Sequence, residues 1–286
     1  MSSSVARLRA FLELSRPANG VIAFAAVMLG GLFAVEGQLN RLYDLALLKA
    51  AGSALLLLAA GNALNDYRDS EIDRTNKPRR PIPSGRIRRS EALITAVFLM
   101  GAGIALGCLV NRYVALIGAS VAASLIVYAL WLKRTPIIGN LLVGSLTGLT
   151  FIVGGAVFES LRGTLVPATF ALLFTTAREI VKDIEDAEGD FKNNAHTIAV
   201  ISRSMAVLTA SIFMGAVIVF SPVPYLFGWY SWHYMLTVFI GVDLVLVYFV
   251  IQIWKDASKE NSWRIQKWMK WDILVGLGAI CIGDFA

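Results

Sequence analysis

The chain is poor in charge, in histidine and in cysteine. Charged residues make up 16% of its 286 positions, against roughly 25% in a soluble domain. That scarcity excludes a disordered protein, a nucleic-acid-binding domain and an ordinary soluble enzyme. The two cysteines, Cys108 and Cys281, both lie in apolar runs, which leaves no disulfide framework and no zinc knuckle. Two histidines, His196 and His233, are too few for a histidine-rich metal site. The first segment, MSSSVARLRAFLELSRP, carries no cleavable signal pattern, because the long apolar run starts only near Gly20. What is present in excess is apolar surface: 57% of residues are A, V, I, L, M, F, W, Y or C, and the mean hydropathy is +0.65.

A bilayer core takes about 20 mostly apolar residues per helix. Runs of that kind cover roughly 18–35, 44–64, 91–110, 113–132, 137–158, 164–181, 205–221, 233–254 and 270–286. Their length and Ala/Leu/Gly content predict helices, and the alternation of a membrane barrel is missing. The expected fold is therefore all-α and polytopic, with nine transmembrane helices in one bundle. The basic residues set its orientation. Of the 26 Lys and Arg, 22 fall in the N-terminal segment and the segments after spans 2, 4, 6 and 8. The positive-inside rule puts those segments and the N-terminus in the cytoplasm, and the C-terminus outside the cell membrane.

The carboxylates are just as uneven. Ten of the 20 are Asp66, Asp69, Glu71 and Asp73, then Glu179, Asp183, Glu185, Asp186, Glu188 and Asp190. Each group ends an apolar span, the second and the sixth, on the expected cytoplasmic side. Asn65, Asp69 and Asp73 are spaced i, i+4, i+8. At 100° per residue they share one helix face, and Asp183, Asp186 and Asp190 fall within about 60° of one another. Acids stacked at i, i+4 destabilise a helix unless a cation neutralises them. Oxygen stripes of this kind suit Mg²⁺, which is held by a few carboxylates plus substrate phosphate. A solvated charged loop is the plainer reading of either run taken singly. The recurrence of the pattern on two spans favours metal.

Between spans 2 and 3 comes RTNKPRRPIPSGRIRRS. Lys77, Arg79 and Arg80, next to the first stripe, point to phosphate oxygens. Arg86, Arg88 and Arg89 serve equally as anchors to anionic headgroups. Arg16, Lys133, Arg134, Arg178 and Lys182 sit at span ends, where snorkelling also places cations. Asp243, inside the eighth span, is read as a helix–helix hydrogen bond or an external water contact.

These motifs resemble one family. Asn65-Asp66-x-x-Asp69-x-x-x-Asp73 followed by NKPRRPIPSG, with Asp186-x-x-x-Asp190 further on, is similar to the UbiA superfamily of intramembrane prenyltransferases. The likeness covers nearly the whole chain. It implies a single transmembrane prenyltransferase domain over 1–286 around a central cavity, with cytoplasmic caps from loops 65–90 and 182–204. It implies two Mg²⁺ ions on Asn65, Asp69, Asp73, Asp186 and Asp190, with Asp183 added because it shares their face. Asp69, Asp73, Asp186 and Asp190 would be the catalytic carboxylates. The segments SRPANG (Arg16, Asn19) and REIVKDIEDAEGD resemble the archaeal digeranylgeranylglyceryl phosphate synthase branch. That branch implies geranylgeranyl diphosphate as donor and geranylgeranylglyceryl phosphate as acceptor. Chlorophyllide and the aromatic acceptors 4-hydroxybenzoate and naphthoate are the alternatives within the superfamily.

Substrate contacts are expected from Arg16, Asn19, Lys77, Arg79, Arg80, Tyr128, Lys133, Arg134, Arg178 and Lys182. Tyr128 would offer its ring face to an allylic cation, although core packing explains it as well. Membrane lipid is the expected surrounding, with no nucleic acid and no obligate protein partner. A transporter is the reading from a different class. It calls for ionisable groups at mid-membrane, where only Asp243 lies.

Overall fold

The computed structural model describes residues 3–192 and 194–284, leaving out the side chains of Ser3, Ser4, Thr75, Asn76, Arg134 and Asp284. Every regular element among the described residues is helical. The longer helices are α1 (Ser3–Ser15), α2 (Pro17–Ala34), α3 (Leu45–Asn76), α4 (Arg89–Cys108), α5 (Arg112–Leu130), α6 (Ile138–Val157) and α7 (Leu165–Lys192). They are followed by the single turn α8 (Ile198–Ile201), α9 (Arg203–Phe220), the single turn α10 (Val223–Leu226), α11 (Trp232–Val238), α12 (Leu244–Lys255) and α13 (Lys259–Asp284). A π-turn at Phe239–Asp243 joins α11 to α12.

Among the described residues seven helices are long and apolar enough to cross a bilayer: Pro17–Ala34, Leu45–Arg74, Arg89–Cys108, Arg112–Leu130, Ile138–Val157, Arg203–Leu226 and Trp232–Lys255. The expected sixth and ninth spans fall on α7 and α13. Arg178, Glu179 and Lys182 interrupt the apolar run of α7. Trp263 to Asp272 brings three cations and an acid into the first half of α13. The caps expected as loops at 65–90 and 182–204 begin as helix, because α3 runs on to Asn76 and α7 to Lys192.

The chain divides into two compact units. One comprises residues 1–132 and 150–161, the other residues 133–149 and 162–286. In the first, Asp44 caps α3 by accepting from Ala46 N at 2.9 Å. Asn111 caps α5 through Val114 N at 2.9 Å and also donates to Ala156 O at 2.8 Å. Val27, Leu47, Ala50, Ala51, Val114, Val153 and Ala156 form one core. Ala10, Leu14, Ala63, Ile87, Ala92 and Ala96 form another around α1. A Cβ at Gly30 would overlap the Phe151 carbonyl, and one at Gly154 the Val27 carbonyl, so glycine sets how closely α2 approaches residues 150–157. Outward-facing Ile94, Val97, Phe98 and Leu116 are exposed, as lipid-facing side chains are.

In the second unit α7 packs against α9 and α13, over a core that includes Ile180, Ile184, Met214, Leu246, Ile253 and Met269. The expectation for Asp243 holds in its first form. It is buried at the π-turn and its Oδ2 accepts from Ser221 Oγ at 2.7 Å.

Candidate functional site

In the first unit the acidic stripe occupies the last turns of α3. Asp73 is 5% exposed, and its Oδ2 accepts from Arg80 Nη1 at 2.5 Å. Asp69 is half-buried. Asn65 Oδ1 is buried and has no hydrogen-bond partner, a state that costs free energy unless a ligand fills it. Asp66 follows Asn65 directly and falls within about 20° of Asp73 on the helical wheel. It is 3% exposed, and its Oδ1 accepts from Arg16 Nη2 at 2.5 Å and Arg80 Nη1 at 3.2 Å. Arg16 also reaches Asn62 Oδ1 at 3.4 Å, and Asn62 donates back to Ser15 O at 3.2 Å.

The basic loop after α3 is fastened from two sides. Arg80 ties it to α3. Arg86 makes a forked pair with Glu13 of α1, at 2.6 and 3.1 Å, and donates to Arg79 O at 2.6 Å. The Arg86 donation holds the Glu13 carboxyl below its ordinary pKa, with burial opposing. Glu13, Lys77, Pro78, Arg79 and Arg80 line a cleft of about 390 Å³. Lys77 and Arg79 are exposed, as is Asn19, and Tyr128 is half-buried near the end of α5.

In the second unit the stripe is carried by α7. Two glycines of α6 make room for it. A Cβ at Gly144 would overlap Thr176 Oγ1 and stand 2.5 Å from Leu172 O, and one at Gly148 would stand 2.5 Å from Ala168 O. That close approach lets Asn140 Nδ2 donate to Asp183 Oδ2 at 2.7 Å. Burial pushes the Asp183 carboxyl up to about 7, against the Asn140 donation that favours the charged form. Burial, then the charge of Asp186, also raises Glu185, which accepts from Gln266 Nε2 at 3.1 Å. Asp186 is exposed. Asp190 is half-buried and accepts from Thr197 Oγ1 at 3.3 Å.

Two of the expected substrate cations are engaged within this unit. Arg178 bonds Gln266 O at 3.2 Å, Gln266 Oε1 at 3.0 Å and Glu179 at 3.2 Å. Lys182 pairs with Glu179 at 2.8 Å. Lys133 is half-buried, and the Arg134 side chain lies outside the described residues.

Among the described residues no three His, Cys, Asp or Glu side chains converge into a ready metal cage. Along one stripe, ligands four residues apart are about 6 Å apart in rise. That spacing fits an ion completed by phosphate oxygens, and the hard oxygen donors and the orphaned Asn65 Oδ1 fit Mg²⁺. Sequence reasoning missed Asp66 as the junction of two arginines. It also missed Asn140, although a lone Asn in the apolar run IIGNLLVG is itself a signal of an intramembrane polar contact.

Residues 23–274 match the UbiA prenyltransferase family. The digeranylgeranylglyceryl phosphate synthase of Methanococcoides burtonii is 39% identical over 286 residues, covering 96% of this chain and 100% of the relative. That of Methanosphaera stadtmanae is 35% identical over 274 residues, covering 96% and 98%. A solved structure concerned with digeranylgeranylglyceryl phosphate synthase in membranes superposes with a TM-score of 0.83 at 30% identity, covering 98% of this chain and 99% of that one. A UbiA homologue from Archaeoglobus fulgidus bound to GPP and Mg²⁺ has a TM-score of 0.66 at 14% identity, covering 95% and 99%, and shares the fold.

Proposed function

Because the chain belongs to the UbiA prenyltransferase family, we propose that it transfers a geranylgeranyl group from geranylgeranyl diphosphate to the glycerol hydroxyl of geranylgeranylglyceryl phosphate. The observation that carries this reading is the full-length likeness, at 34–39% identity, to archaeal synthases of that name. In the reaction the C1–O bond to diphosphate breaks, the acceptor oxygen bonds C1 to form an ether, and the hydroxyl proton is lost. Magnesium, when bound, neutralises the leaving diphosphate.

This chain's own residues would do the rest. Asn65, Asp69 and Asp73 on α3, and Asp183, Asp186 and Asp190 on α7, are the oxygen donors we assign to two Mg²⁺ ions. Arg80, Lys77 and Arg79 bring positive charge to the phosphates, and Arg16 is held beside them by Asp66. The apolar helices exclude water from the allylic cation. We read both units as parts of one domain with nine transmembrane helices, α7 and α13 included. The N-terminus and the site lie on the cytoplasmic side, as the basic-residue bias implies.

The test is a mass-spectrometric acceptor screen of the detergent-purified protein with geranylgeranyl diphosphate and Mg²⁺. The ether product is expected with geranylgeranylglyceryl phosphate. Asp69→Ala and Asp190→Ala should each abolish it while the protein elutes as wild type. Product formed only with 4-hydroxybenzoate or chlorophyllide, or undiminished turnover in both variants, overturns the reading.

A further inference from the structure

We propose that Asp66 is a positioning residue. Its buried carboxylate holds the guanidinium groups of Arg16 and Arg80 and takes no metal, and the Arg80 group it holds covers Asp73 until a diphosphate draws it off. The proposal rests on the reading above, in which Asp73 is a metal ligand.

Three observations support it. One oxygen of Asp66 already accepts from both arginines, at 2.5 and 3.2 Å, and a metal ion there would meet two positive charges. Arg16 adopts a left-handed backbone, φ 49° and ψ 65°, just ahead of Pro17. A non-glycine residue keeps such a conformation only where its surroundings fix it, and here Asp66 and Asn62 hold the Arg16 side chain. Finally, Arg80 Nη1 is shared between Asp66 and Asp73. In that state two carboxylates and two guanidiniums balance. Placing a divalent cation on Asp73 puts it against Arg80, an arrangement relieved only when an anion with several charges arrives.

Arg80 also borders the cleft with Lys77 and Arg79, so a diphosphate there can take the guanidinium over. Bidentate geometry makes phosphate a strong competitor for an arginine held by carboxylate. The consequence is ordered loading. Asp73 is masked from free metal, and metal and diphosphate bind together.

The test is Mn²⁺ binding to the full-length protein in detergent, followed by calorimetry and electron paramagnetic resonance, with and without inorganic diphosphate. Arg80→Gln is expected to bind Mn²⁺ at least tenfold more tightly than wild type without diphosphate, and to lose most of the tightening that diphosphate gives wild type. Asp66→Asn is expected to keep the wild-type number of Mn²⁺ ions and to raise the KM for geranylgeranyl diphosphate about tenfold, with kcat changed less. Asp66→Glu should recover part of that loss.

Loss of one Mn²⁺ in Asp66→Asn makes Asp66 a ligand and overturns the proposal. So does an unchanged KM, or donor-free binding in Arg80→Gln that is no tighter than wild type. Where Asp66→Asn does not fold, the Arg80→Gln titration decides alone. If the wild-type protein binds no Mn²⁺ even with diphosphate, the metal reading itself has failed, an outcome distinct from those three.

Discussion

The seat of α6 on α7 is the feature most sharply open to a structural test. Gly144→Ala adds one methyl group. At that position the methyl would overlap Thr176 Oγ1 and lie 2.5 Å from Leu172 O. Neither obstacle is the free end of a flexible chain. Leu172 O is helix backbone, and Thr176 Oγ1 is already bonded to it at 2.7 Å. The helices must therefore separate. Overpacking of this kind costs about 1–3 kcal/mol. Separation also stretches the Asn140–Asp183 bond of 2.7 Å, and above about pH 7, where Asp183 is ionised, losing a hydrogen bond to a charged group costs about 1.5–3 kcal/mol. The two effects share one displacement and do not simply add, so about 2–4 kcal/mol is expected overall. The assay is thermal unfolding in detergent followed by tryptophan fluorescence. Gly101→Ala on α4 is the control, since nothing lies within 4 Å of its Cβ and alanine there favours the helix. A Gly144→Ala protein as stable as the control would refute the packing argument.

Two further outcomes follow from buried acids. Asp183 has its carboxyl raised from 3.8 to about 7. Between those values the folded protein holds a proton that the unfolded chain has released, so stability falls as pH rises from about 4 to about 7. At about 1.4 kcal/mol per unit the upper bound is about 4 kcal/mol. Melting curves in chelator at pH 4.5 and 7.5 should diverge for wild type and converge for Asp183→Asn, and equal divergence in both refutes the assignment. Ser221→Ala removes the donor to Asp243 Oδ2, and Oδ1 of that carboxylate is already without a partner. A loss of about 1–3 kcal/mol is expected, and a variant that melts as wild type would show that the bond contributes nothing.

The parts of the molecule legible in the sequence are those set by periodicity within one segment. Run length placed seven of the expected spans on helices of suitable length. The i, i+4, i+8 spacing put Asn65, Asp69 and Asp73 on the cytoplasmic turns of a single helix that continues to Asn76. Where the runs are mixed, length and composition give different answers. The apolar stretch of α7 ends at Ala177, and α13 opens with a charged and tryptophan-rich half. Neither helix qualifies as a span by composition, although both exceed 20 residues.

What a one-dimensional reading lacks is the partner of each charge. Asp66 and Asp69 look alike in a sequence, two acids in one motif separated by three positions. On a helical wheel Asp66 falls within about 20° of Asp73 and about 60° of Asp69, so angle alone does not divide their fates. Asp69 stays on the stripe with Asn65 and Asp73. Asp66 turns toward residue 16, fifty positions earlier, and toward the loop that returns at residue 80. Helix arithmetic does not separate the two. It could not have said that arginine rather than metal waits for Asp66, because that depends on the left-handed turn at Arg16 and on how the proline-rich loop folds back. The same limit applies to Arg178 and Lys182, which stand in the usual position for phosphate contact but bond Gln266 and Glu179. A cation beside an acidic motif thus has two competing uses, neutralising the protein's own carboxylates or a ligand's phosphates. In this chain Arg80 is the residue for which the change from the first use to the second is itself the expected event.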